Sequence, residues 1–212
     1  MTAILIVNPF ATNVTEERLA AVVEALPDGV ETIRTAAQGD ATTIAREAGA
    51  DVDTIYVFSG DGTYNEVLNG IERDVRLGFI PGGGTSVLPR ALGLPRDPVA
   101  AALAVAHGRT LRISLGRVNG RRFSFNAGIG LDADLVRRVD ELGRRPDGKR
   151  AGDAAFAREA LKLAVASRFR LPPVLEVVGI GRAAFVMVAN CSPYTYAGRL
   201  GLDFAPRATF EG

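Results

Sequence analysis

Two short apolar runs, residues 54–58 and 75–80, each end in a glycine-rich turn that opens into a helical pattern. Strand, tight turn and helix in close succession require a parallel sheet covered by helices on both faces. The first run leads into Ser59-Gly60-Asp61-Gly62-Thr63 and the second into Pro81-Gly82-Gly83-Gly84-Thr85-Ser86. The same grammar continues around them. Ala3–Val7 reads as a buried strand, then Leu19, Val22, Val23 and Leu26 share one helical face, and Asn13 and Glu16 have the spacing of a capping box. Residues 30–35 alternate as a strand and 40–48 read as a helix. Tyr64, Val67, Leu68 and Ile71 give the next helical face, with further helices expected around 87–92 and 99–107.

From about residue 111 the pattern changes. Residues 111–118 and 121–126 read as strands joined by Asn119-Gly120, a strong hairpin signal. A helix is expected over 132–142, a polar link over 143–152, a helix over 153–169 stopped by Pro172-Pro173, and strands near 174–178 and 183–190. The chain therefore reads as α/β, with a Rossmann-like parallel sheet over residues 1–110 and a β-rich second domain over 111–212. Residues 203–212 hold no terminal helix or long strand, and the second domain has fewer strands than two packed sheets need. It is expected to be incomplete, lacking its last strands.

Charge and composition narrow the function. With 25 basic and 24 acidic side chains, the chain lacks the cationic excess of a nucleic-acid binder. One Cys excludes an internal disulfide and a multi-cysteine zinc site. No basic leader precedes the first strand, and the apolar run at 183–191 is too short to span a bilayer, so a cytoplasmic protein is expected. The charge is unevenly placed. Residues 1–111 carry 8 basic and 14 acidic side chains, whereas 112–182 carry 15 and 8. That basic middle region suits either an anionic surface or a solvated arginine-rich helical face.

In a parallel sheet both glycine turns lie at the carboxyl edge, where ligands bind, and Asn8-Pro9 supplies a third loop there. Glycines let backbone N–H groups approach a phosphate, and a helix N-terminus adds partial positive charge. Any one of these turns is also an ordinary tight turn; three on one edge point to a phosphate site. The P-loop, dinucleotide and protein-kinase signatures are absent. Asp61 is repelled by phosphates unless it handles a cation or a hydroxyl proton, which suits Mg²⁺-ATP meeting an alcohol. The alternative for Asp61 is N-capping of the helix that follows. His107 reads as a helix-end residue and Cys191 as a small buried hydrophobe.

The run Ser59-Gly60-Asp61-Gly62-Thr63-Tyr64-Asn65-Glu66-Val67 closely resembles the G-G-D-G-T-x-N-E-V motif of the diacylglycerol kinase catalytic domain. That family includes bacterial lipid kinases and the sphingosine and ceramide kinases. Asn8-Pro9, Arg90-Ala91-Leu92-Gly93-Leu94-Pro95 and Phe125-Asn126-Ala127-Gly128-Ile129-Gly130-Leu131-Asp132-Ala133 agree in order, and the scarcity of Lys is compatible with actinobacterial members. The resemblance implies an ATP-dependent lipid kinase that uses Mg²⁺ and transfers the γ-phosphate to a lipid alcohol such as diacylglycerol. It implies that Asn8, Thr35, Gly60, Asp61, Gly62, Thr63, Asn65, Glu66, Gly82, Gly83, Gly84 and Thr85 line the nucleotide, with Asp61 as the catalytic residue. Asn126 and Asp132 are then expected near the acceptor lipid.

A lipid acceptor implies peripheral contact with an anionic membrane at its inner face, for which Arg144, Arg145, Lys149 and Arg150 are the candidates. Oligomeric state stays open. The chain departs from the family at the second turn, where the hydroxyl and Asn positions of P-x-G-[TS]-x-N hold Gly84 and Ser86, and at Phe10-Ala11-Thr12, which lacks Ser-Gly. Ala205-Pro206-Arg207-Ala208 through Glu211-Gly212 resembles the A-P-x-A…D-G segment, after which the family carries further strands and a D-G-E motif with the general base. A nucleotide-binding relic without turnover and a kinase of a non-lipid alcohol are the other readings.

Overall fold

The computed structural model describes residues 2–48, 51–143, 153–166, 172–198 and 200–211. The α/β half runs β1 (Ala3–Val7), α1 (Glu16–Ala25), β2 (Glu31–Arg34), α2 (Asp40–Glu47), β3 (Thr54–Ser59), α3 (Asp61–Gly70), β4 (Arg76–Pro81), α4 (Val87–Ala91) and α5 (Pro98–His107). Its strands form one parallel sheet in the order β2-β1-β3-β4. The pleat sorts the strand side chains, because successive residues point to opposite faces. Ile4, Ile6, Ile55, Val57 and Phe79 pack with Ala41, Ala45, Tyr64, Val67, Leu68 and Leu88 from α2, α3 and α4. Leu5, Val7, Tyr56, Phe58 and Ile80 pack on the other side with Leu19 and Val22 of α1 and Ala102 of α5. Burial on both faces explains why these strands read as continuous apolar runs. The chain passes from β1 outward to β2 and then returns to β3 on the opposite side, so the loops after β1 and β3 lead to helices on opposite faces of the sheet.

The cap of α1 differs from the expected box. Thr15 is the N-cap, and its Oγ1 accepts the Arg18 backbone N–H at 3.2 Å. The helix begins at Glu16, which leaves the Asn13 side chain for another partner, Gly83.

The hairpin of β5 (Gly116–Val118) and β6 (Arg121–Phe123) forms as expected, though the strand read over 111–118 is only three residues long. Asn119 and Gly120 both take positive φ, 49° and 81°, as a two-residue turn of this twist requires. Asn69 locks the hairpin to the end of α3: its Oδ1 accepts Arg122 N–H at 2.8 Å and its Nδ2 donates to Arg122 O at 3.0 Å. The Arg122 guanidinium donates to the carbonyls of Leu68 and Ile71, groups left without helical partners at that helix end.

Contacts divide the chain into two compact units, Met1–Phe125 with Asn190–Gly212, and Asn126–Ala189. Residue 110, the expected domain boundary, falls inside the first unit. The second unit runs β7 (Asn126–Gly130), α6 (Leu131–Glu141), α7 (Asp153–Ala166), β8 (Leu175–Val177), β9 (Gly181–Ala183) and β10 (Phe185–Ala189). Here β7 pairs antiparallel with β10, β8 with β9, and α6 packs on α7. On α7 the buried Glu159 accepts from Lys162 Nζ at 2.8 Å. Arg144, Arg145, Lys149 and Arg150, and the last turn expected for the second of these helices, lie outside the described residues.

The chain then returns to the first unit through a hairpin of β11 (Thr195–Ala197) and β12 (Leu200–Leu202), which the strand pattern does not reveal. Asn190 Nδ2 donates to the carbonyls of Ser114 and Ser124, at 2.7 and 2.8 Å. Ser114 N–H donates to Phe210 O at 2.8 Å, and Phe210 packs with Leu115 and Phe125 against the Ile4 side of the core. Residues 203–211 are thus anchored without any regular element. Among the described residues no helix is long and apolar enough to cross a membrane.

Candidate functional site

Three loops meet at the carboxyl edge of the sheet. Asn8 follows β1; its Oδ1 accepts Phe10 N–H at 3.0 Å and its Nδ2 donates to Thr63 Oγ1 at 3.2 Å. Thr63 Oγ1 also accepts the Ser59 hydroxyl at 2.7 Å, so the first loop and the β3–α3 turn share one polar junction. The β4–α4 turn closes against both. Gly82 N–H donates to Ser59 O at 2.6 Å, and Asn13 donates from its backbone to Gly82 O and from its side chain to Gly83 O, at 2.8 and 2.7 Å. The two glycine turns touch: a Cβ on Gly83 would lie 2.8 Å from Gly60 Cα. Only residues without a side chain allow that approach.

Asp61 opens α3 but serves α4. Its Oδ2 accepts Val87 N–H at 2.9 Å and its Oδ1 accepts Leu88 N–H at 3.1 Å. The residue before α4, Ser86, lies in the left-handed region at φ 50° and makes no side-chain cap, so Asp61 satisfies donors that would otherwise be orphaned. Burial pushes the Asp61 carboxyl above the ordinary range, and these N–H groups oppose the shift. Beneath it, the fully buried Tyr64 hydroxyl lies 2.7 Å from the carbonyls of both Ser59 and Ile80, which share its single proton. Tyr64 is pushed well above its ordinary range by burial, with the Asp61 charge adding to it.

The remaining motif residues turn elsewhere. Asn65 Oδ1 accepts Asn69 Nδ2 at 2.9 Å. Glu66 Oε2 accepts Gly39 N–H at 3.1 Å and its carbonyl accepts the Thr42 hydroxyl at 3.0 Å, fastening α2 to α3. Thr35 is buried at the end of β2 and donates its N–H to Val7 O at 2.9 Å. Gly62 lies in the first turn of α3.

Beside the second turn lies a cavity of about 320 Å³, walled by Asn13, Gly83, Gly84 and Thr85 and by the arginines 18, 90 and 96. Arg18 Nη1 donates to Asn13 O at 3.0 Å. Arg90 stacks on Tyr196, 3.3 Å from the ring centroid, and its Nη1 donates to Gly198 O at 3.1 Å. Guanidinium groups beside a glycine turn form a donor set suited to phosphate oxygens, which they can engage in pairs of hydrogen bonds. Among the described residues there is no group of three or more His, Cys, Asp or Glu placed to hold a metal ion.

The expected nucleotide residues therefore separate. Gly83, Gly84 and Thr85 line the cavity, Asn8, Gly60, Thr63 and Gly82 build the loop junction, and Asp61, Asn65, Glu66 and Thr35 bond within the scaffold. Asn126 and Asp132 belong to the second unit, at the first residue of β7 and the second of α6; the Asp132 side chain lies outside the description. The arginines at 18, 90 and 96 are the cavity-lining residues that sequence reasoning missed. Their available signal is basic residues closely following a glycine turn or the first loop.

The diacylglycerol kinase catalytic domain matches residues 2–118, more than half of the chain. The chain belongs to this family. A diacylglycerol kinase of Bacillus subtilis is 42% identical over 107 residues, 48% of this chain and 35% of that protein. One from Staphylococcus saprophyticus is 43% identical over 89 residues, 40% of this chain and 29% of that protein. The matches thus span about a third of these curated relatives. The crystal structure of a diacylglycerol kinase from Bacillus anthracis strain Sterne aligns over 99% of this chain and 70% of its own, with a TM-score of 0.70 and 28% identity. The α/β fold is that of the family.

Proposed function

We propose that this protein is an ATP-dependent lipid kinase that transfers the γ-phosphate to the hydroxyl of a lipid alcohol such as diacylglycerol. The observation that carries this reading is the arginine-walled cavity against the second glycine turn, in a chain of the diacylglycerol kinase catalytic-domain family. In this proposal residues 1–110, joined by the returning 190–212 segment, supply the nucleotide side and the rest of 111–212 the acceptor side, with Asn126 and Asp132 near the lipid. Arg18, Arg90, Arg96 and the 82–85 turn would hold the phosphates. Mg²⁺ would arrive with the nucleotide and neutralise phosphate charge; it needs few protein carboxylates when phosphates supply its oxygens. Asp61 remains our candidate for the reacting end of the phosphates; each of its oxygens accepts one backbone N–H and keeps a further lone pair for a ligand. The protein would work in the cytoplasm, docked peripherally on the anionic inner face of the membrane.

The test is transfer of labelled phosphate from ATP to diacylglycerol in mixed micelles with Mg²⁺, using this chain and a version extended along its reading frame. Transfer by either form, lost by orders of magnitude on Asp61→Asn, supports the proposal. A second reading, a nucleotide binder without turnover, draws support from the structural role of Asp61, whose carboxylate accepts the first N–H groups of α4. ATP binding with no transfer to any alcohol in an acceptor screen would establish it, while transfer to a non-lipid alcohol alone would replace the lipid acceptor.

A further inference from the structure

One wall of the cavity is held from far along the chain. Arg90 lies in α4, yet both groups that fix its guanidinium, the Tyr196 ring and the Gly198 carbonyl, belong to the β11–β12 segment about a hundred residues later. That hairpin has its own support: Tyr194 N–H donates to Leu202 O at 2.9 Å, and the Tyr194 ring meets Phe204 edge-on at 5.7 Å. Arg90 and Arg96 face the same cavity, and burial together with the like charge of Arg96 pushes Arg90 below its ordinary range. Two like charges on one cavity repel, so a group that attracts Arg90 helps to keep it in the wall.

The nature of that group matters. A carboxylate would hold Arg90 but cancel the charge a ligand could use. An aromatic face and one carbonyl hold it while leaving its full charge and its other N–H groups to an anion. We propose that Tyr196 is a positioning residue, whose ring sets the Arg90 guanidinium against the Gly83–Thr85 wall for a polyphosphate. This rests on the nucleotide reading above and deepens it. A polyphosphate that engages Arg90 in this pose must, by linkage, also tighten the hairpin that carries Tyr196.

The experiment is titration calorimetry of the 212-residue chain with ATP and, separately, with sodium tripolyphosphate. The variants are Tyr196→Phe, Tyr196→Leu, Tyr196→Met, Arg90→Ala and the Tyr196→Leu/Arg90→Ala double, each checked for folding by circular dichroism. Tyr196→Phe should bind like the parent, since the ring face is kept. Tyr196→Leu and Tyr196→Met should weaken binding about three- to tenfold, the scale of a partly exposed cation–π contact. In the Arg90→Ala background the Leu change should have no further effect, which a general loss of structure could not reproduce. Undiminished binding by the folded Leu and Met variants, or the same loss without Arg90, overturns the role of Tyr196 and leaves the nucleotide reading intact. Tripolyphosphate binding with this pattern but no ATP binding removes the nucleotide reading and keeps the positioning role. A parent chain that binds neither anion overturns both.

Discussion

The carboxylate of Asp61 and the backbone N–H of Val87 meet at 2.9 Å, joining the first turn of α3 to the first turn of α4 across the carboxyl edge of the sheet. Leu88 N–H completes the cap at 3.1 Å. One side chain thereby orients the glycine turn between β4 and α4, which forms a wall of the arginine cavity. The most conspicuous acidic residue in the sequence is thus first a structural clasp. Any chemistry it performs starts from that position.

Removing the clasp should be costly. Asp61→Ala leaves two inward-facing N–H groups without their acceptor, and the expected loss is about 1–3 kcal/mol of unfolding free energy in a urea titration. Asp61→Asn carries a pH signature. Burial raises the folded-state pKa above its unfolded value of about 3.9, so the stabilisation from the neutral acid is complete below that value. It is lost as pH rises through the raised folded value. The amide has no such proton, so the stability of Asp61→Asn relative to the parent should climb with pH across that window and then level. A difference that is flat, or falls with pH, would contradict the burial argument.

Neighbouring glycines of the second turn should respond differently. A Cβ on Gly83 would lie 2.8 Å from Gly60 Cα, a backbone atom that cannot move aside cheaply, whereas a Cβ on Gly84 meets nothing within 4 Å. Gly83→Ala should therefore destabilise the chain by about 1–3 kcal/mol, the usual cost of overpacking. Gly84→Ala should stay within about 0.5 kcal/mol, as for an open surface site. Thermal unfolding of the two variants side by side decides this, and equal losses would mean that the turns do not touch.

Arg96 should contribute affinity for anions without contributing stability. Its neutralisation relieves the repulsion felt by Arg90 and removes a donor from the cavity wall. Arg96→Ala should leave the unfolding midpoint unchanged or raised and weaken tripolyphosphate binding by about tenfold, the scale of a lost charge-assisted hydrogen bond. The salt dependence of the remaining binding should flatten. Unaltered affinity would move the phosphate site away from this cavity.

Cys191 offers a simple probe of packing in the segment that returns to the first unit. Burial pushes its thiol up to about 11, from an ordinary value of 9.0. At pH 8 the native thiolate fraction should be roughly a hundredth of that in the unfolded chain. A disulfide-exchange reagent should accordingly label the native protein at least about a hundredfold more slowly than the protein in strong denaturant. Comparable rates would mean that the region around Asn190 opens freely.

Periodicity made much of the architecture legible. Ala3–Val7 reads as a buried strand and is one, and Tyr64, Val67 and Leu68 share the buried face read for them, whereas Val23, read on one face with Leu19, Val22 and Leu26, is exposed. The β11–β12 hairpin escaped because three-residue strands carry too short an alternation to register. The Asn13–Glu16 box failed for a related reason: spacing alone cannot tell whether Asn13 faces its own helix or a loop 70 residues away.

The sequence by itself determined the strand–helix alternation, the two glycine turns and the family to which they belong. Tertiary structure decided where the polar side chains of those turns spend their hydrogen bonds: Asp61 on α4, Asn65 on Asn69, Glu66 on Gly39, and Arg90 on a hairpin remote in the chain. The physical reason is the difference between burial and hydrogen bonding. Burial of an apolar face is non-directional and repeats along an element, so it is written in local pattern. A hydrogen bond or a ring contact needs one partner at one distance, and for Asp61 and Arg90 that partner comes into reach only once the loops have met.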